Sequence, residues 1–292
     1  MILSIGEILA DMVGEKVDGT MTFKSFCGGA PFNVAVGARN AGAKVKFIGR
    51  VGDDPIGRFV SLEAQKANLD ALEIQVDKVR NTTLAFVTLT DGERDFAFYR
   101  HDTADFNVDV SDVDFSDEQI SIVHLGSLML SEENGKALAK TIADKAKANN
   151  KTLSFDINFR MDIYEDFDDA LSAYKPFVAC ADIIKFSDDE LKLYTGIDGV
   201  EQGVKALNRK DALILVTMGS RGSAYFYGDL SGVVPTVEVK PVDTTGAGDA
   251  FFGTLLAKME NKEWNKENIE KALVCANKAG ADATQFLGAI KL

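Results

Sequence analysis

The sequence contains few of the residues that build disulfide frameworks or transition-metal centres. Among 292 residues there are two histidines and three cysteines, Cys27, Cys180 and Cys275. The cysteines lie far apart and form no Cys-x-x-Cys pair, so neither a disulfide framework nor a structural zinc site is expected. A reducing, cytoplasmic compartment fits this pattern. Because histidine and cysteine do not cluster, any bound metal should be a hard cation held by oxygen atoms.

An excess of positive charge and long apolar runs are also lacking. Lysine and arginine total 32 against 45 aspartates and glutamates, a net charge of −13. The basic residues do not cluster, so neither a nucleic acid nor an anionic membrane is an expected partner. No apolar run approaches the roughly 20 residues that cross a bilayer. The N-terminal stretch MILSIGEILADMV has no basic segment typical of a signal peptide, so we expect a soluble protein that is not exported.

Short apolar runs alternate with helical patterns along the chain. The runs that predict buried strands are ILSI (2–5), VKFIGRV (45–51), SIVHLGS (121–127), TLSFDI (152–157), DIIKFS (182–187) and LILVTM (213–218). Residues 57–68 and 135–150 carry apolar side chains at three- and four-residue spacing and end in Asn, as amphipathic helices do. This alternation predicts an α/β fold with a mostly parallel central sheet and helices on both faces.

Two segments break this rhythm and are typical of β-hairpins. One contains Asp18-Gly19 between extended stretches, and the other contains Asp91-Gly92 between runs rich in Thr, Val, Phe and Tyr. We predict that insertions at about 12–27 and 82–103 form a small β-sheet lid on a single domain covering 1–292. The alternative is an edge extension of the sheet without a role at the site.

The stretch VDTTGAGDAFFG (242–253) is open to two interpretations. It could be an ordinary helix start followed by an apolar stripe. Alternatively, the small residues Gly246, Ala247 and Gly248 leave helix N-terminal amides open to an anion, and Asp249 lies beside that anion. A carboxylate next to a phosphate is useful when it accepts the proton that an attacking hydroxyl loses. This second interpretation predicts an anion hole with its own general base.

Other glycine-rich phosphate motifs fit less well. The dinucleotide-binding pattern needs a third glycine where Phe251 stands, and this motif lies near the end of the chain rather than after the first strand. The Gly-Lys pair at 135–136 is followed by Ala137 and lacks the upstream glycine of a P-loop.

The stretch DTTGAGD, taken with GGAPFNVAVGARNAGAKVKFIGRVGDDPIG (28–57), resembles the two signatures of the PfkB or ribokinase-like family of sugar kinases. The resemblance extends over the whole chain, including both hairpins, which correspond to that family's lid. The segments GGAPFNVA, FYRHDTAD (98–105), DINFR (156–160) and KFSDDE (185–190) are most similar to fructokinases. Many members of the family carry Asn where this chain has Ser187, whereas fructokinases commonly carry Ser.

The resemblance implies roles for individual residues. Asp249 would be the general base, and Gly246, Ala247 and Gly248 would form the anion hole. Sugar contacts are expected from Asp11, Gly28, Gly29, Asn33, Arg100, Asp105, Asn158 and Arg160. Nucleotide contacts are expected from Ser187, Thr217, Gly219, Arg221, Gly222 and Asn277. Structural alternatives remain open: Arg100 and Arg160 could pair with surface acids, and Gly219 and Gly222 could form an ordinary turn.

The same resemblance implies cations and an assembly. Glu190 would hold Mg²⁺ of Mg-ATP through water, and Asp243 with Thr245 would bind K⁺. Lys185 either adds positive charge near the phosphates or is a solvated strand-end lysine, and His124 is expected to be a core residue. The hairpins expose antiparallel edges that need covering, which predicts a homodimer through the lid.

The implied activity is ATP-dependent phosphorylation of a sugar, with the 6-hydroxyl of D-fructose as the expected acceptor. 2-Keto-3-deoxygluconate kinase is the first alternative, followed by ribokinase and nucleoside kinase. A catalytically silent sugar-binding regulator could lose Asp249 or the glycines, and this chain keeps them.

Overall fold

Strands and helices alternate through the computed structural model, which describes residues 1–90, 93–164 and 166–291. The strands are β1 (Ile2–Ile5), β2 (Leu9–Val17), β3 (Thr20–Gly28), β4 (Val45–Gly52), β5 (Ala71–Asp77), β6 (Leu84–Thr90), β7 (Glu93–Tyr99), β8 (Ile122–Leu125), β9 (Thr152–Asp156), β10 (Ile183–Ser187), β11 (Leu213–Thr217), β12 (Ser223–Tyr227) and β13 (Leu230–Val234). The helices are α1 (Ala30–Asn40), α2 (Pro55–Gln65), α3 (Glu133–Ala148), α4 (Phe167–Cys180), α5 (Asp188–Thr195), α6 (Val200–Leu207), α7 (Ala247–Met259) and α8 (Lys266–Ala283).

The main sheet is parallel over most of its width. Within the described ranges it has nine strands in the order β13-β12-β11-β10-β9-β8-β1-β4-β5. Neighbours from β11 to β5 pair in parallel, and β12 and β13 add an antiparallel edge. Each of the six apolar runs coincides with one of these strands to within two residues at either end. The carboxyl ends of the parallel strands therefore meet at one edge of the sheet, where open α/β sheets bind their ligands.

Alternate side chains of the buried strands enter two separate cores. Leu3 and Ile5 of β1 pack in a cluster with residues of α3, α4, α5 and α6, whereas Ile2 packs in a second cluster with residues of α1, α2, α7 and α8. Helices cover both faces of the sheet, so the strands are buried on both sides. This burial explains why the strand sequences are continuous apolar runs.

A second, smaller sheet is built from the two predicted hairpins. In the part of the chain described, it has four strands in the order β3-β2-β6-β7, and we call it the lid sheet. Asp18 and Gly19 both have positive φ, 49° and 81°, as a tight two-residue hairpin turn requires. The hairpins join through parallel pairing of β2 with β6, from Ala10↔Leu84 to Gly14↔Thr88. The predicted turn at Asp91-Gly92 lies outside the described residues.

Close packing of α1 on α7 fixes two helix N-termini side by side. A Cβ placed on Gly253 of α7 would lie 2.2 Å from the carbonyl oxygen of Val34, and one on Gly37 of α1 would lie 3.2 Å from Cα of Ala250. Only glycine allows the backbones to approach this closely. Asn33 lies near the start of α1 and Asp249 near the start of α7, so this packing brings the two residues together.

The structure confirms the predicted fold class, an α/β fold with a mostly parallel sheet, helices on both faces and a small β-sheet lid. None of the helices in the described ranges is long and apolar enough to cross a membrane.

Candidate active site

A cavity of about 320 Å³ lies between the lid sheet and the carboxyl edge of the main sheet. Leu9, Ala85 and Phe98 contribute apolar side chains from the lid sheet or its approach. The remaining residues on its wall include many that the sequence predicted. These are Asp11, Gly29, Asn33, Asn158, Arg160, Thr245, Gly246, Gly248 and Asp249. The fold therefore joins residues from both sequence signatures in one recess, which we call the first cavity.

The N-terminus of α7 forms one wall of the first cavity. Gly246 is the residue before the helix and has φ 76°, and a Cβ there would lie 2.2 Å from the carbonyl oxygen of Ala289. A larger residue would therefore displace this turn. The Ala247 amide donates to the Thr244 carbonyl at 3.3 Å, so this amide is partly engaged. Gly246 and Gly248 face the first cavity, whereas Ala247 does not line it.

Asp249 lies in the first turn of α7 and is held by Asn33. The Asn33 side-chain amide donates to Asp249 Oδ2 at 2.8 Å. Burial raises the pKa of the Asp249 carboxyl, and the Asn33 hydrogen bond and the nearby charges of Lys185 and Arg160 oppose that rise. A carboxylate with a raised pKa is a stronger base than one in water, and it remains reachable from the cavity.

Asp11 depends on a neighbouring glycine for its position. A Cβ on Gly28, in the paired strand β3, would lie 2.1 Å from Asp11 Oδ2. Burial, with repulsion from Asp249 and Asp243, raises the pKa of Asp11 to about 7, while Arg160 acts in the opposite direction. Gly28 does not line the cavity itself, but it leaves the space that the Asp11 carboxyl occupies.

Arg100 and Asp105, which the resemblance implies as sugar contacts, do not line the first cavity. Both side chains are buried, and Arg100 Nε donates to Asp105 Oδ2 at 2.9 Å. Arg100 also donates to the Leu128 carbonyl, and its guanidinium lies 4.0 Å from the centre of the Phe106 ring. The two charges satisfy each other, so the pair anchors the end of β7 to the protein core. The sequence placed both residues after the hairpin but could not show that they pair.

A buried ion pair that the sequence did not predict lies at the same edge of the main sheet. Lys185 Nζ donates to both carboxylate oxygens of Asp156, at 2.7 and 3.0 Å. The two residues are register partners on the parallel strands β10 and β9. Attraction to Asp156, Glu190 and Asp249 raises the pKa of Lys185 despite its burial, so it stays an ammonium. Charged residues within two successive apolar runs, TLSFDI and DIIKFS, were the available sequence signal.

Glu7 is a second residue that the sequence did not single out. It lies in the connection between β1 and β2 and is fully buried. Neither of its carboxylate oxygens has a hydrogen-bond partner within the described part of the protein. Burial raises the pKa of Glu7 to about 7, and the charge of Arg100 opposes this rise.

A second cavity of about 590 Å³ lies on the other side of the α7 N-terminus. Of the predicted nucleotide residues it is lined by Thr217, Gly219, Gly222 and Asn277. Thr244 and Gly248 line both cavities, so the first turn of α7 is their shared wall. This arrangement allows a group bound in one cavity to react with a group bound in the other.

Two predicted nucleotide residues do not line the second cavity. Arg221 is exposed and pairs with Asp188, and Ser187 ends β10 and caps the N-terminus of α5. Asn277 does line it, but its side-chain amide donates to the Val234 carbonyl at 2.9 Å. Four of the predicted nucleotide residues thus line one cavity, whereas Arg221 and Ser187 have structural partners elsewhere.

Glu190 has a helix-capping role in addition to its predicted metal role. Its carboxylate accepts from the Ser187 amide at 2.6 Å and from the Phe159 amide at 2.9 Å, and Ser187 Oγ accepts from the Glu190 amide at 3.1 Å. This reciprocal pair is a capping box. No group of three or more His, Cys, Asp or Glu residues that could hold a metal occurs among the described residues. Because each carboxylate oxygen retains a second lone pair, the donor set fits Mg²⁺ held through water and not a full protein cage.

Asp243 connects the loop before α7 to the C-terminal loop. Its Oδ1 accepts from the Thr245 amide at 2.7 Å, and its Oδ2 accepts from the Gly288 amide at 3.0 Å.

His124 is buried and neutral, since burial lowers its pKa to about 3. Its Nδ1 lies 3.1 Å from Ser154 Oγ. The prediction that His124 is a core residue is confirmed.

Comparisons with known proteins match this chain over nearly its full length. The sequence model of one protein family, pfkB family carbohydrate kinase, matches residues 1–291 of this chain. Probable fructokinase-6, chloroplastic, of Arabidopsis thaliana is 37% identical over 99% of this chain and 78% of its own length. A crystal structure of fructokinase from Xylella fastidiosa with bound ATP has a TM-score of 0.89 and 30% identity, covering 99% of this chain and 93% of that one.

Fructokinase from Vibrio cholerae O395 is similar to the same degree. Its form with fructose, ADP and calcium has a TM-score of 0.89 and 30% identity, covering 99% of this chain and 94% of that one. A double mutant of that protein, with fructose, ADP and potassium, has a TM-score of 0.89 and 29% identity over 99% of this chain and 93% of that one.

Proposed function

We propose that this chain, which belongs to the pfkB family of carbohydrate kinases and is an ATP-dependent phosphotransferase, phosphorylates the 6-hydroxyl of D-fructose. The observation that carries the proposal is the position of Asp249. It lies at the turn that separates two cavities, and the Asn33 amide orients its carboxylate. A hydroxyl bound in the first cavity and a nucleotide bound in the second would meet at this turn.

The catalytic step follows from this arrangement. Asp249 accepts the hydroxyl proton while the sugar oxygen forms a bond to the γ-phosphorus and the bond to the bridging oxygen of ADP breaks. The electron pair of the broken bond stays on ADP. Amides at the N-terminus of α7 stabilise the charge on the transferred group, with Gly246 and Gly248 facing it directly. The protein contributes mainly positioning and electrostatic stabilisation, as is usual in phosphoryl transfer.

Sugar recognition is assigned to the polar wall of the first cavity. Asp11, Asn33, Asn158 and Arg160 provide acceptors and donors at several angles, as a ligand rich in hydroxyls requires. The fructose bound by the Vibrio cholerae relative supports a ketohexose in this position. Closure of the lid sheet would exclude water, which otherwise competes for the phosphoryl group.

Two cations are part of the proposal. Mg²⁺ bound with ATP would shield the phosphate charges, and Glu190 would hold it through water. The Asp243 and Thr245 loop would bind K⁺ behind the anion hole, which the potassium-bound relative supports. Equal turnover with potassium and with tetramethylammonium as the sole monovalent cation would contradict the potassium assignment.

The proposed assembly is a homodimer through the lid sheet. Exposed apolar side chains are present on both hairpins, including Val17, Met21 and Tyr99. The Phe86 ring contacts Phe23 and Tyr99 edge-on, with centroids 5.0 and 5.1 Å apart, so the apolar surface is continuous. Covering this face in a dimer would remove it from water. A monomer by light scattering at micromolar concentration would contradict this assembly.

The substrate is tested by a panel of acceptors. We expect kcat/KM to be highest for fructose when fructose, 2-keto-3-deoxygluconate, ribose and adenosine are compared with Mg-ATP and with Mg-GTP. Preference for 2-keto-3-deoxygluconate would support the first alternative, because Arg160 could pair with its carboxylate. Preference for ribose or adenosine would equally overturn the fructose assignment while leaving the kinase activity intact.

A further inference from the structure

Residues 48–57 (IGRVGDDPIG) form the second half of the N-terminal signature, and none of them lines the first or the second cavity. Within this segment Asp54 precedes α2, and its Oδ1 accepts from the Gly57 amide at 2.7 Å, as a helix cap does. The same carboxylate also reaches Thr82. Its Oδ2 accepts from the Thr82 amide at 2.8 Å, and its Oδ1 accepts from the Thr82 hydroxyl at 3.1 Å. Asp54 therefore joins the start of α2 to a residue two positions before β6.

The glycines of this segment leave the space that Thr82 fills. Thr82 is buried, and its hydroxyl accepts from the Gly52 amide at 2.9 Å. A Cβ on Gly52 would lie 2.7 Å from the Thr82 nitrogen, and one on Gly57 would lie 2.8 Å from Thr82 Oγ1. Burial raises the pKa of Asp54, but hydrogen bonds from Gly57 and Thr82 outweigh it and hold the pKa below its ordinary value. Asp54 is therefore a carboxylate at neutral pH, and its hydrogen bonds are charge-assisted.

The pairing of β2 with β6 needs an anchor of this kind. β2 pairs with β3, and β6 with β7, as antiparallel neighbours along the chain. β2 and β6 are parallel and are not neighbours along the chain, so no hairpin turn sets their register. Their pairing begins where the Ala10 amide donates to the carbonyl of Thr83 at 3.2 Å. The residue that fixes this end of β6 is Thr82, the one that Asp54 holds.

The register of β2 with β6 determines what stands beside Asp11 in the first cavity. Asp11 and Ala85 are register partners, and both line that cavity. Because partners in a sheet share a face, a slip of one residue would place Leu84 or Phe86 opposite Asp11. Either side chain is much larger than that of alanine and would enter the space assigned to the sugar.

A second carboxylate near β6 has a different connection. Asp105 Oδ1 accepts from the hydroxyls of Thr83 and Thr103, each at 2.6 Å, and so ties together the two ends of the β6–β7 segment. Asp54 instead ties β6 to the main sheet, because it follows β4, which pairs with β1. Since β1 leads directly into β2, both lid strands are positioned from the same two strands of the main sheet.

We propose that Asp54 is a positioning residue for sugar binding, which acts by holding Thr82 and thereby keeping β6 in register with β2. This register places Asp11 and Ala85 correctly in the first cavity. The inference rests on the proposed function, in which Asp11 recognises the sugar. Asp54 itself contacts neither the sugar nor the nucleotide.

The competing explanation is that Asp54 only caps α2, and two substitutions separate the two explanations. Serine is also a good helix cap but carries a single side-chain oxygen. Asp54→Ser therefore keeps an acceptor for the Gly57 amide and loses the one for the Thr82 amide. Thr82→Val removes the Thr82 hydroxyl without touching the cap, and Thr82→Ser restores the hydroxyl.

The matched control is Thr195→Val at the end of α5, which lies away from both cavities. Like Thr82, Thr195 has a hydroxyl that donates one hydrogen bond, to the Leu191 carbonyl at 2.7 Å, and accepts another, from the Ile197 amide at 3.2 Å. Its loss should therefore reveal any general cost of removing a doubly bonded hydroxyl.

Kinetics with the best acceptor of the sugar panel give the first readout. We expect Asp54→Ser and Thr82→Val to raise the sugar KM by about tenfold or more, the usual cost of losing one hydrogen bond between a charged group and its ligand. At saturating sugar kcat should fall by a smaller factor, because Asp249 is not displaced. The Kd for Mg-ADP, measured by calorimetry, should not change. Thr82→Ser and Thr195→Val should keep the KM of the unmodified chain.

Hydrogen exchange followed by mass spectrometry reports the register without any substrate. Peptides from β2 and β6 should exchange faster in Asp54→Ser and Thr82→Val, whereas peptides from α2 should not. Unchanged KM and unchanged exchange in both folded variants would overturn the proposal, as would an equal rise in KM in Thr195→Val. If circular dichroism shows that Asp54→Ser does not fold, Thr82→Val and Thr82→Ser carry the test. Faster exchange in β2 and β6, with no sugar of the panel phosphorylated by the unmodified chain, would instead overturn the proposed acceptor and leave the role of Asp54 in the register standing.

Discussion

The side chains of Asn33 and Asp249 are joined by a 2.8 Å hydrogen bond although they lie 216 residues apart in the chain. Each belongs to the N-terminal part of a helix, and close packing of α1 on α7 brings the two parts together. The N-terminal glycine signature and the C-terminal DTTGAGD signature are therefore two halves of one constellation.

Replacing Asp249 by Asn should remove the proton acceptor while keeping the shape of the side chain. We expect kcat to fall by at least about 10³-fold, with sugar affinity changed only modestly, because general-base and charge effects act in the transition state. Steady-state kinetics and calorimetric sugar binding measure the two quantities. The matched control is Asp168→Asn, which changes an exposed first-turn aspartate of α4. This control should keep the turnover and the sugar affinity of the unmodified chain. Near-normal turnover by Asp249→Asn would refute the general-base role.

Replacing Asn33 by Ala should shift the pH dependence of turnover. The Asn33 hydrogen bond lowers the pKa of Asp249, so its removal raises that pKa further. Since Asp249 acts in its deprotonated form, activity is lost as pH falls through its pKa, and the acidic limb of the kcat profile should move to higher pH. Profiles of the variant and the unmodified chain between pH 5 and 9 measure the shift. An unchanged or downward-shifted limb would contradict the assigned contact.

Adding a methyl group at Gly253 should separate α1 from α7. Its Cβ would lie 2.2 Å from the Val34 carbonyl oxygen and 2.7 Å from the Ala38 nitrogen. We expect Gly253→Ala to lower the free energy of unfolding by about 2 kcal/mol or more, as overpacking of a core does, and to lower kcat by displacing Asn33 from Asp249. Urea denaturation measures the first effect. Gly280→Ala, whose Cβ would meet Ala247 at a milder 3.1 Å, is the control and should cost much less, because alanine favours the helix.

Glu7 should make the folded protein less stable as pH rises. Its pKa is about 7 in the folded protein against 4.5 for the ordinary side chain, so the folded state keeps a proton that the unfolded state has lost. Stability therefore falls between about pH 4.5 and 7. At pH 8 Glu7→Gln should recover about 3 kcal/mol, since one pKa unit corresponds to about 1.4 kcal/mol. Urea unfolding at pH 5 and pH 8 tests this, and an equal effect at both values would contradict the buried, unpaired carboxylate.

Removing Asp105 should leave a buried guanidinium without its partner. We expect Asp105→Ala to lower the free energy of unfolding by about 3 kcal/mol or more, the usual cost of breaking a buried pair. The double variant Arg100→Met with Asp105→Leu should recover much of that loss, because no unpaired charge remains. A further readout is the sugar KM of the double variant. A large rise in KM with restored stability would favour the sugar contact that the sequence predicted over the anchoring role.

Most of the fold could be predicted from the sequence, because the patterns that indicate strands and turns lie within short stretches of the chain. Six apolar runs and two Asp-Gly turns predict strands and hairpins through periodicity and turn chemistry alone. The strands β5, β12 and β13 were missed. Each is an edge strand or next to one, and β5 is only partly covered, so its sequence ALEIQVD lacks the continuous apolar pattern of a buried strand.

Only part of the site could be predicted from the sequence, because contacts between residues far apart in the chain leave no local sequence pattern. The motifs singled out Asp249, Asn33 and Asp11, and the fold brings all three to the first cavity. They could not reveal that Arg100 pairs with Asp105 or that Lys185 pairs with Asp156, because each pair depends on which strands and loops become neighbours. The Ser187 and Glu190 capping box has the same spacing as the predicted metal motif. One pattern therefore fits two physical roles, helix capping and metal binding, that a sequence cannot separate.

Thr244 and Gly248 each line both the first and the second cavity, so the same two residues bound both recesses. A ligand that reaches past this shared wall would contact both cavities. A sugar tethered to adenosine through a chain of phosphates would therefore occupy both cavities at once. Such a bisubstrate ligand would gain affinity from both sites while the linkage removes the entropy cost of bringing two separate molecules together.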